Sequence, residues 1–486
     1  MILWALAAAA ALQADKPAPE RDWAATLRTD ATAMHDAIAE NHPGMINPDD
    51  PDFAALNDRQ YALALKRART ARTFADYFFA LQHYLAAFND GHMGFGVFGA
   101  TPDANLRWPG FIARDDGNRG LVVTASEDWS GVAAGSRIEN CDGKNAFELG
   151  RDRVGARFGR WELESQRTMW GVIVMLDSGD PYVRPITSCV FQTDRGRQKV
   201  RLTWREGGKE IFSKYQIIPA ASRVEAGIAP FAGGFWVTLP SFDGNPESSR
   251  GRALEVVLGQ IRDQAGAMDK APVIVFDLRG NGGGSSQWSK RIAELLWGKG
   301  AFARYPDPPM TIVWRASQGN LQTLRDGLRE RDGNGKLDQG ARSWFNSTIA
   351  GLEAAVAKGE QSWVIKPSRA DNASNVDNAL PFHPPQGKVF LLTDSACMSA
   401  CLDAVDLWTR LGAIPVGRET GADTVYMEVR RITMPSKLGS MALPMKYYIG
   451  RARGSNVPVR PRYRFDGDIK DTPSVQAWVA SLLKRD

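Results

Sequence analysis

The sequence predicts an α/β protein, and three observations carry that prediction. From about residue 233 onward, short apolar runs of strand length alternate with amphipathic helical runs. One such strand ends in a glycine cluster and another ends in a Ser-Ala turn. Alternation of strand and helix implies parallel βαβ units, because a parallel neighbour is reached only through a long crossover. At 486 residues and 43% hydrophobic, the chain can build roughly three domains, each with its own core. The formal net charge of +5 is small for this length and no Lys/Arg block is interleaved with aromatics, so no nucleic-acid partner is expected.

Taken in order, Ile2 to Leu12 is a compact apolar run that ends at Leu12-Gln13-Ala14, before the charge of Asp15. This is the pattern of a signal peptide over residues 1–14, although a basic leading segment is missing, and it predicts export to the periplasm or the extracellular space. The run is shorter than a bilayer is thick and no other run is longer, so no membrane span is expected. Export would expose four cysteines to an oxidising compartment, where Cys141 with Cys189 and Cys397 with Cys401 are candidate pairs. Buried free thiols are the alternative, favoured for the second pair by its close spacing in a turn. No histidines accompany the cysteines, and no metal is expected.

Residues 15–100 read as a helical domain. Its clearest helix carries Phe74, Tyr77, Phe78, Leu81, Leu85 and Phe88 on one stripe and stops at Asn89-Asp90-Gly91-His92. Gly91 suits a left-handed cap, which would leave His92 at the mouth of whatever the helix packs against. His42, in Asn41-His42-Pro43-Gly44, reads as a turn residue. A strand-like run, Met93 to Phe98, leads away.

Residues 101–222 read as a β-rich module of short strands: Phe111-Ile112-Ala113, Leu121 to Thr124, Ser136-Arg137-Ile138, and a hairpin pairing Val200–Trp204 with Glu210–Phe212 around Gly207-Gly208. Trp161 to Met175 between them is expected to be helical. Residues 223–302 begin the core, with strands at Gly234–Leu239 and Val273–Asp277 and helices near Ala253–Gln264 and around Ile292, Leu295 and Leu296. The second strand runs into Asp277-Leu278-Arg279-Gly280-Asn281-Gly282-Gly283-Gly284, whose backbone can approach a ligand closely and aim N–H groups at it. It lacks the Lys-Ser/Thr of a P-loop and the GxGxxG spacing, which excludes nucleotide binding. Asp277 and Arg279 are expected to pair and fix the loop, while the Asn281 side chain bonds backbone to hold its curvature.

Residues 303–384 interrupt the alternation and read as a mostly helical insertion. Its Asp332-Gly333-Asn334-Gly335 is a turn without the closing carboxylate of a calcium loop. The core resumes over 385–486. The strand Lys388–Leu392 leads into Thr393 to Asp403, TDSACMSACLD, and then into a helix carrying Ala404, Trp408 and Leu411. Ser399 thus sits at a strand-to-helix junction beside the free N–H groups of a first helical turn, an environment that stabilises an oxyanion. From this segment alone it is either a nucleophile or an N-cap.

The ordered set of strand-DLRGNGGG-helix, then strand-Thr-Asp-x4-Ser-Ala, preceded by a helix ending in Asn-Asp-Gly-His, resembles the carboxyl-terminal-processing and tricorn-type serine peptidases of the tail-specific protease superfamily. The resemblance also covers Asn41-His42-Pro43-Gly44 and the Gly135-Ser136-Arg137-Ile138-x3-Asp142-Gly143 turn, and leaves mainly the insertion unmatched. It implies a crotonase-like (ClpP/crotonase) core, an N-terminal helical domain and a PDZ-like module for residues 101–222, with Pro109-Gly110-Phe111-Ile112 as candidate carboxylate loop. By the same resemblance Ser399 is the nucleophile, His92 the base, and Gly282 or Gly283 with Ala400 the oxyanion donors. A serine hydroxyl is a poor nucleophile at its ordinary pKa, so a neutral imidazole that takes its proton and returns it to the leaving amine makes chemical sense of the pair.

Two departures stand out. No Lys occupies Glu419 to Thr424, where the processing-protease branch has one, and Lys437 and Lys446 lie too far along, so a Ser-Lys dyad is not expected. The tricorn-type branch orients its histidine with a late Glu, but the segment Asn456-Val457-Pro458-Val459-Arg460 is free of acids. The orienting acid is open among Asp90, Glu419, Asp423 and Glu428. The expected function is an exported serine endopeptidase acting on peptide or protein substrates without a cofactor. The alternative is a catalytically silent relative that binds a peptide or apolar ligand in the same cleft. Oligomeric state is not legible in the sequence.

Overall fold

The computed structural model describes residues 21–99, 101, 106–115, 120–207, 211, 214, 225–245, 247–304, 309–333, 339–366 and 380–484. The expected signal segment 1–14 and part of the turn at Asp332 lie outside the described residues. Helices α1 (Trp23–Asn41), α2 (Phe53–Ala68) and α3 (Phe74–Ala86) come first and pack through Leu27, Met34, Ile38, Phe53, Tyr77 and Leu81. α3 starts where it does because Thr73 Oγ1 accepts the Asp76 N–H at 3.1 Å while Asp76 Oδ2 accepts the Thr73 N–H at 2.9 Å. Its end corrects the sequence reading. The helix stops at Ala86, and the left-handed residue is Asn89 (φ 52°), not Gly91. Asparagine tolerates that conformation, so the chain turns without using the glycine.

His42 is more than a turn residue. It is fully buried, stacks on Phe53 at 4.3 Å between ring centroids, and its Nδ1 accepts the Gly44 N–H at 2.9 Å. An Nδ1 that accepts is unprotonated, so the ring is neutral with its proton on Nε2. Burial pushes its pKa down to about 3.

Next comes β1 (Gly94–Val97), then the β-rich module of β2 (Phe111–Asp115), β3 (Leu121–Ser126), β4 (Arg137–Cys141), helix α4 (Glu164–Trp170), β5 (Ser188–Thr193) and β6 (Gly196–Arg201). The strands form one antiparallel sheet in the order β2-β3-β4-β5-β6, with Lys144–Asn145 added beside β4. The hairpin expected around Gly207-Gly208 is not what its first arm makes. Val200 and Arg201 pair with β5, whereas Arg205–Glu206 pair with Arg107–Trp108. Much of the second arm lies outside the described residues.

The remaining chain runs β7 (Gly227–Phe231), β8 (Gly234–Thr238), α5 (Ser249–Lys270), β9 (Val273–Asp277), α6 (Gln287–Trp297), β10 (Thr311–Arg315), α7 (Gln318–Gly333), α8 (Gln339–Ala357) and β11 (Ser362–Ile365). It continues through β12 (Lys388–Thr393), α9 (Ala400–Arg410), β13 (Ile414–Gly417), β14 (Tyr426–Thr433), β15 (Gly439–Ile449), β16 (Tyr463–Arg464) and α10 (Thr472–Leu482). A six-stranded sheet has the order β7-β8-β9-β12-β13-β16, antiparallel only at β7-β8 and parallel elsewhere, as the βαβ reading requires.

Successive residues of its strands face opposite layers. Val237, Ile274, Phe276, Val389 and Leu391 pack with α5, α6 and α9, while Trp236, Val275, Phe390, Leu392 and Val416 pack with α10. The central strands β9 and β12 are apolar on both faces for that reason.

The segment 303–384 is not only helical. β10 and β11 enter a five-stranded sheet of order β1-β15-β10-β11, with β14 on β15. Its strand signals, Thr311-Ile312-Val313-Trp314 and Ser362-Trp363-Val364-Ile365, are short and polar-flanked. Both candidate cysteine pairs are closed, and there is no free cysteine among the described residues. For Cys397 and Cys401 this reverses the sequence preference, because the turn between them brings the Cα atoms to 5.3 Å, within disulfide reach. No helix among the described residues is long and apolar enough to cross a membrane.

Two stability predictions follow from burial. Leu391, fully buried on the central strand, should cost about 2–5 kcal/mol when truncated to alanine, read as a lowered urea midpoint. His42 takes its proton near pH 6.5 when unfolded but only near 3 when folded, so its contribution is complete above pH 6.5 and is lost as pH falls from 6.5 toward 3. His42→Asn keeps an acceptor for Gly44 and should flatten this acid limb in urea unfolding measured from pH 7 to pH 4.

Candidate active site

The six-stranded sheet brings two loops side by side. β9 and β12 pair in register from Val273↔Lys388 to Asp277↔Leu392, and the Leu278 N–H extends the pairing to the Leu392 carbonyl at 2.9 Å. Both strands therefore end at the same level, and the chains leaving them run together. Gly280 N–H lies 3.1 Å from Asp394 Oδ1, and Met398 N–H donates to the Asn281 carbonyl at 3.3 Å. Asp277 and Arg279 pair as expected, at 2.8 Å and 2.6 Å, and Asn281 Nδ2 donates to the Leu239 carbonyl at 2.8 Å.

Ser399 precedes α9 with φ 56° and ψ −126°, a conformation that costs a residue with a Cβ about 1–3 kcal/mol. Its side chain makes no cap hydrogen bond to the helix, so the hydroxyl is not spent as an N-cap. Room for it comes from Gly283, with φ 91°. A Cβ there would stand 2.7 Å from Ser399 Cβ, 2.6 Å from the Met398 carbonyl oxygen and 2.9 Å from the Ala400 nitrogen. Ala400 is the first residue of the helix, and its N–H has no intrahelical acceptor. The Gly283 N–H is occupied by Asn281 Oδ1 at 2.9 Å. Of the two glycines proposed as donors, Gly283 is thus committed inside the loop.

The four candidate acids fall in different places. Asp90 is buried, and its Oδ1 accepts the His92 backbone N–H at 2.8 Å and lies 3.6 Å from His92 Nδ1. Burial pushes the Asp90 carboxyl above the ordinary carboxylate range, opposed by His92, Arg160 and Thr424. Asp423 is also buried but serves the serine: its Oδ1 accepts the Ser399 N–H at 3.2 Å, and Arg451 and Arg453 lie 3.7 Å and 3.8 Å from its Oδ2. Glu419 faces Arg460 at 3.5 Å, and burial and then Glu164 raise its pKa. Glu428 holds Lys446 Nζ at 3.1 Å across the β14-β15 pair.

The loops of His92 and Ser399 are joined by residues to which the sequence reading gave no role. Arg160, from the β-rich module, donates its backbone N–H to Asn89 Oδ1 (2.8 Å) and its guanidinium to the Ala422 carbonyl (2.8 Å). Asn456 donates through Nδ2 to the Asn89 carbonyl at 2.9 Å and through its backbone to the Asp423 carbonyl at 2.7 Å. A Cβ on Gly91 would meet the Arg160 guanidinium at 2.6 Å, so the loop and Arg160 pack closely here. The only sequence signal for these contacts is the run of turn residues at each loop.

Mature CPAF superposes on this architecture with a TM-score of 0.57 over 95% of this chain and 97% of CPAF, at 13% identity. The fold is that of CPAF. The same similarity holds for CPAF complexed with lactacystin (TM-score 0.57, 13% identity, 96% and 100% coverage) and for a CPAF serine-to-alanine mutant (0.57, 12%, 96% and 98%). Matched structures also include the photosystem II D1 C-terminal processing protease and the tricorn protease at TM-scores of 0.36 and 0.39, so the fold assignment rests on CPAF. No family model and no curated protein matches the chain. Because coverage is nearly complete on both sides, the CPAF fold takes in the helical, β-rich and parallel-sheet parts together.

The glycine contacts give a direct test. Gly283→Ala meets backbone atoms at a positive φ and should lower stability by at least about 2 kcal/mol in urea unfolding, whereas Gly94→Ala, with nothing within 4 Å of its Cβ, should leave it unchanged or slightly raised.

Proposed function

We propose that this chain is a serine peptidase of the tail-specific type, which hydrolyses peptide bonds through an acyl-enzyme on Ser399 with His92 as general acid and base. The observation that carries this reading is the backbone of Ser399: a strained serine, not used as a cap, at the start of a helix and against a glycine loop. That is the arrangement a nucleophile needs, because it presents the hydroxyl beside unpaired N–H groups while the rest of the turn is held.

In the proposed reaction Ser399 Oγ attacks the substrate carbonyl carbon as its proton passes to His92. The carbonyl oxygen, now an oxyanion, is held by the N–H groups of Ala400 and Gly282. Gly283 contributes the space and not a donor, since its N–H is taken by Asn281. His92 then protonates the leaving amine, and water repeats the sequence on the acyl-enzyme to release the acid. Asp90 is the orienting acid in this reading, because it is the carboxylate beside Nδ1, which leaves Nε2 for the serine proton. One lost oxyanion donor typically costs about 3 kcal/mol of transition-state stabilisation.

The parallel sheet is read as a crotonase-like core split into residues 223–302 and 385–486, and residues 101–222 as a PDZ-like module that engages a peptide end. Two closed disulfides support an exported enzyme, since such bonds persist in oxidising compartments.

A fluorophosphonate probe tests the assignment. Expected are a single adduct on Ser399 by mass spectrometry, none in Ser399→Ala, labelling slowed about 10²- to 10⁴-fold in His92→Ala, and a smaller loss in Asp90→Asn. Labelling elsewhere, or labelling of Ser399 unchanged by His92→Ala, rules the mechanism out. Lactacystin, with which CPAF has been solved in complex, is a second ligand to test against the same site.

A further inference from the structure

Ser399 is the midpoint of a covalent ring. Cys397 stands two residues before it and Cys401 two after, and their disulfide closes the backbone around Met398, Ser399 and Ala400. Both cysteines are fully buried and belong to the core shared by the sheet, α6 and α9, so the ring is anchored at both ends in packed protein. Within it the chain changes from the loop that follows β12 to the first turn of α9, and Ser399 absorbs the change with its φ of 56° and ψ of −126°.

Ordinary devices for starting a helix are missing at this point. Ser399, in the cap position, makes no side-chain cap bond. Its carbonyl accepts the Leu402 N–H at 2.8 Å and the Asp403 N–H at 3.3 Å, and its N–H reaches Asp423 at 3.2 Å. These bonds, together with that from the Cys401 N–H to the Met398 carbonyl at 3.1 Å, fix the peptide groups on either side of Ser399. The disulfide adds a covalent limit, since it holds residues 397 and 401 with their Cα atoms 5.3 Å apart.

We infer that the Cys397–Cys401 disulfide is a positioning element for the nucleophile, holding Ser399 Oγ and the Ala400 N–H in the geometry that acylation requires. The inference rests on the proposed role of Ser399. It separates this disulfide from Cys141–Cys189, which ties neighbouring strands β4 and β5 across a separation of 48 residues and acts on the stability of the β-rich module. A ring that closes over four residues restricts the unfolded chain far less, so its main effect falls on local geometry.

The test compares wild type, Cys397→Ala/Cys401→Ala and Cys141→Ala/Cys189→Ala in full-length protein, using fluorophosphonate labelling of Ser399 resolved into kinact and KI. Expected for the first variant is a tenfold or greater fall in kinact with KI within twofold, together with faster amide hydrogen exchange in the peptide spanning 397–403. The second variant should lower the thermal midpoint and keep the wild-type kinact.

If the first variant fails to fold, the wild type is treated with dithiothreitol under native conditions. The dithiol passes two electrons and two protons to the bond, giving two thiols and the cyclic oxidised reagent, and alkylation then identifies which pair opened. Loss of kinact that tracks opening of Cys397–Cys401 supports the inference. A labelled wild type whose kinact survives loss of that bond overturns the inference alone. A wild type that takes no probe overturns the nucleophile assignment and the inference with it.

Discussion

Five in-register pairs between two parallel neighbours, from Val273↔Lys388 to Asp277↔Leu392, decide where everything else in the candidate site can be. Parallel strands end at the same edge of a sheet, so the chains leaving β9 and β12 must run beside each other. A slip of one residue would exchange the two faces, moving Phe276 and Leu391 from the α5-α6-α9 layer to the α10 layer. The apolar sequence of both strands forbids neither face by itself. Gly283 then meets Ser399 Cβ, and the Asn281 carbonyl meets the Met398 N–H. Loop chemistry here is downstream of sheet packing.

A second constraint is electrostatic. Asp90, Asp423, Arg160 and Arg453 are removed from most water near one junction, and such charges are costly unless they face one another. They do: Arg160 feels Asp90 and Asp423, and Arg453 lies near Asp423 and Asp403 and bonds Asp406 at 3.1 Å. Yet satisfaction is incomplete. Asp90 Oδ2, His92 Nδ1, Arg160 Nε, Asp423 Oδ2 and Asn456 Oδ1 are buried without a hydrogen-bond partner among the described residues. Unpaired polar atoms are rare in protein interiors, and several of them gather at this junction.

Much of this was legible in the sequence, for identifiable reasons. The strands Val273–Asp277 and Lys388–Thr393 stand out as uninterrupted apolar runs because they are buried on both faces. Ser399 and the glycine loop stand out because turns constrain residue type. Positions whose role depends on a distant partner were not legible. Gly91 reads as the left-handed cap, but Asn89 takes that conformation, and Asp423, one of four candidate acids, accepts the Ser399 N–H, a contact no residue pattern signals. The strands Thr311–Arg315 and Ser362–Ile365 were submerged in helical sequence because they are short and complete a sheet whose other members come from both ends of the chain. The Cys397–Cys401 bond depended on a backbone conformation that no residue-type pattern encodes.

The junction made by Arg160 also bears on how the protein is made. His92 and Arg160 are synthesised early, and Ser399, Ala422 and Asn456 late, yet Arg160 needs the Ala422 carbonyl and the His92 loop needs Asn456. A nascent chain that has not yet released these late segments therefore carries His92 and Arg160 without the carbonyl and the asparagine that their loops meet in the folded chain. The junction of these loops can close only once both the early and the late segments have been made.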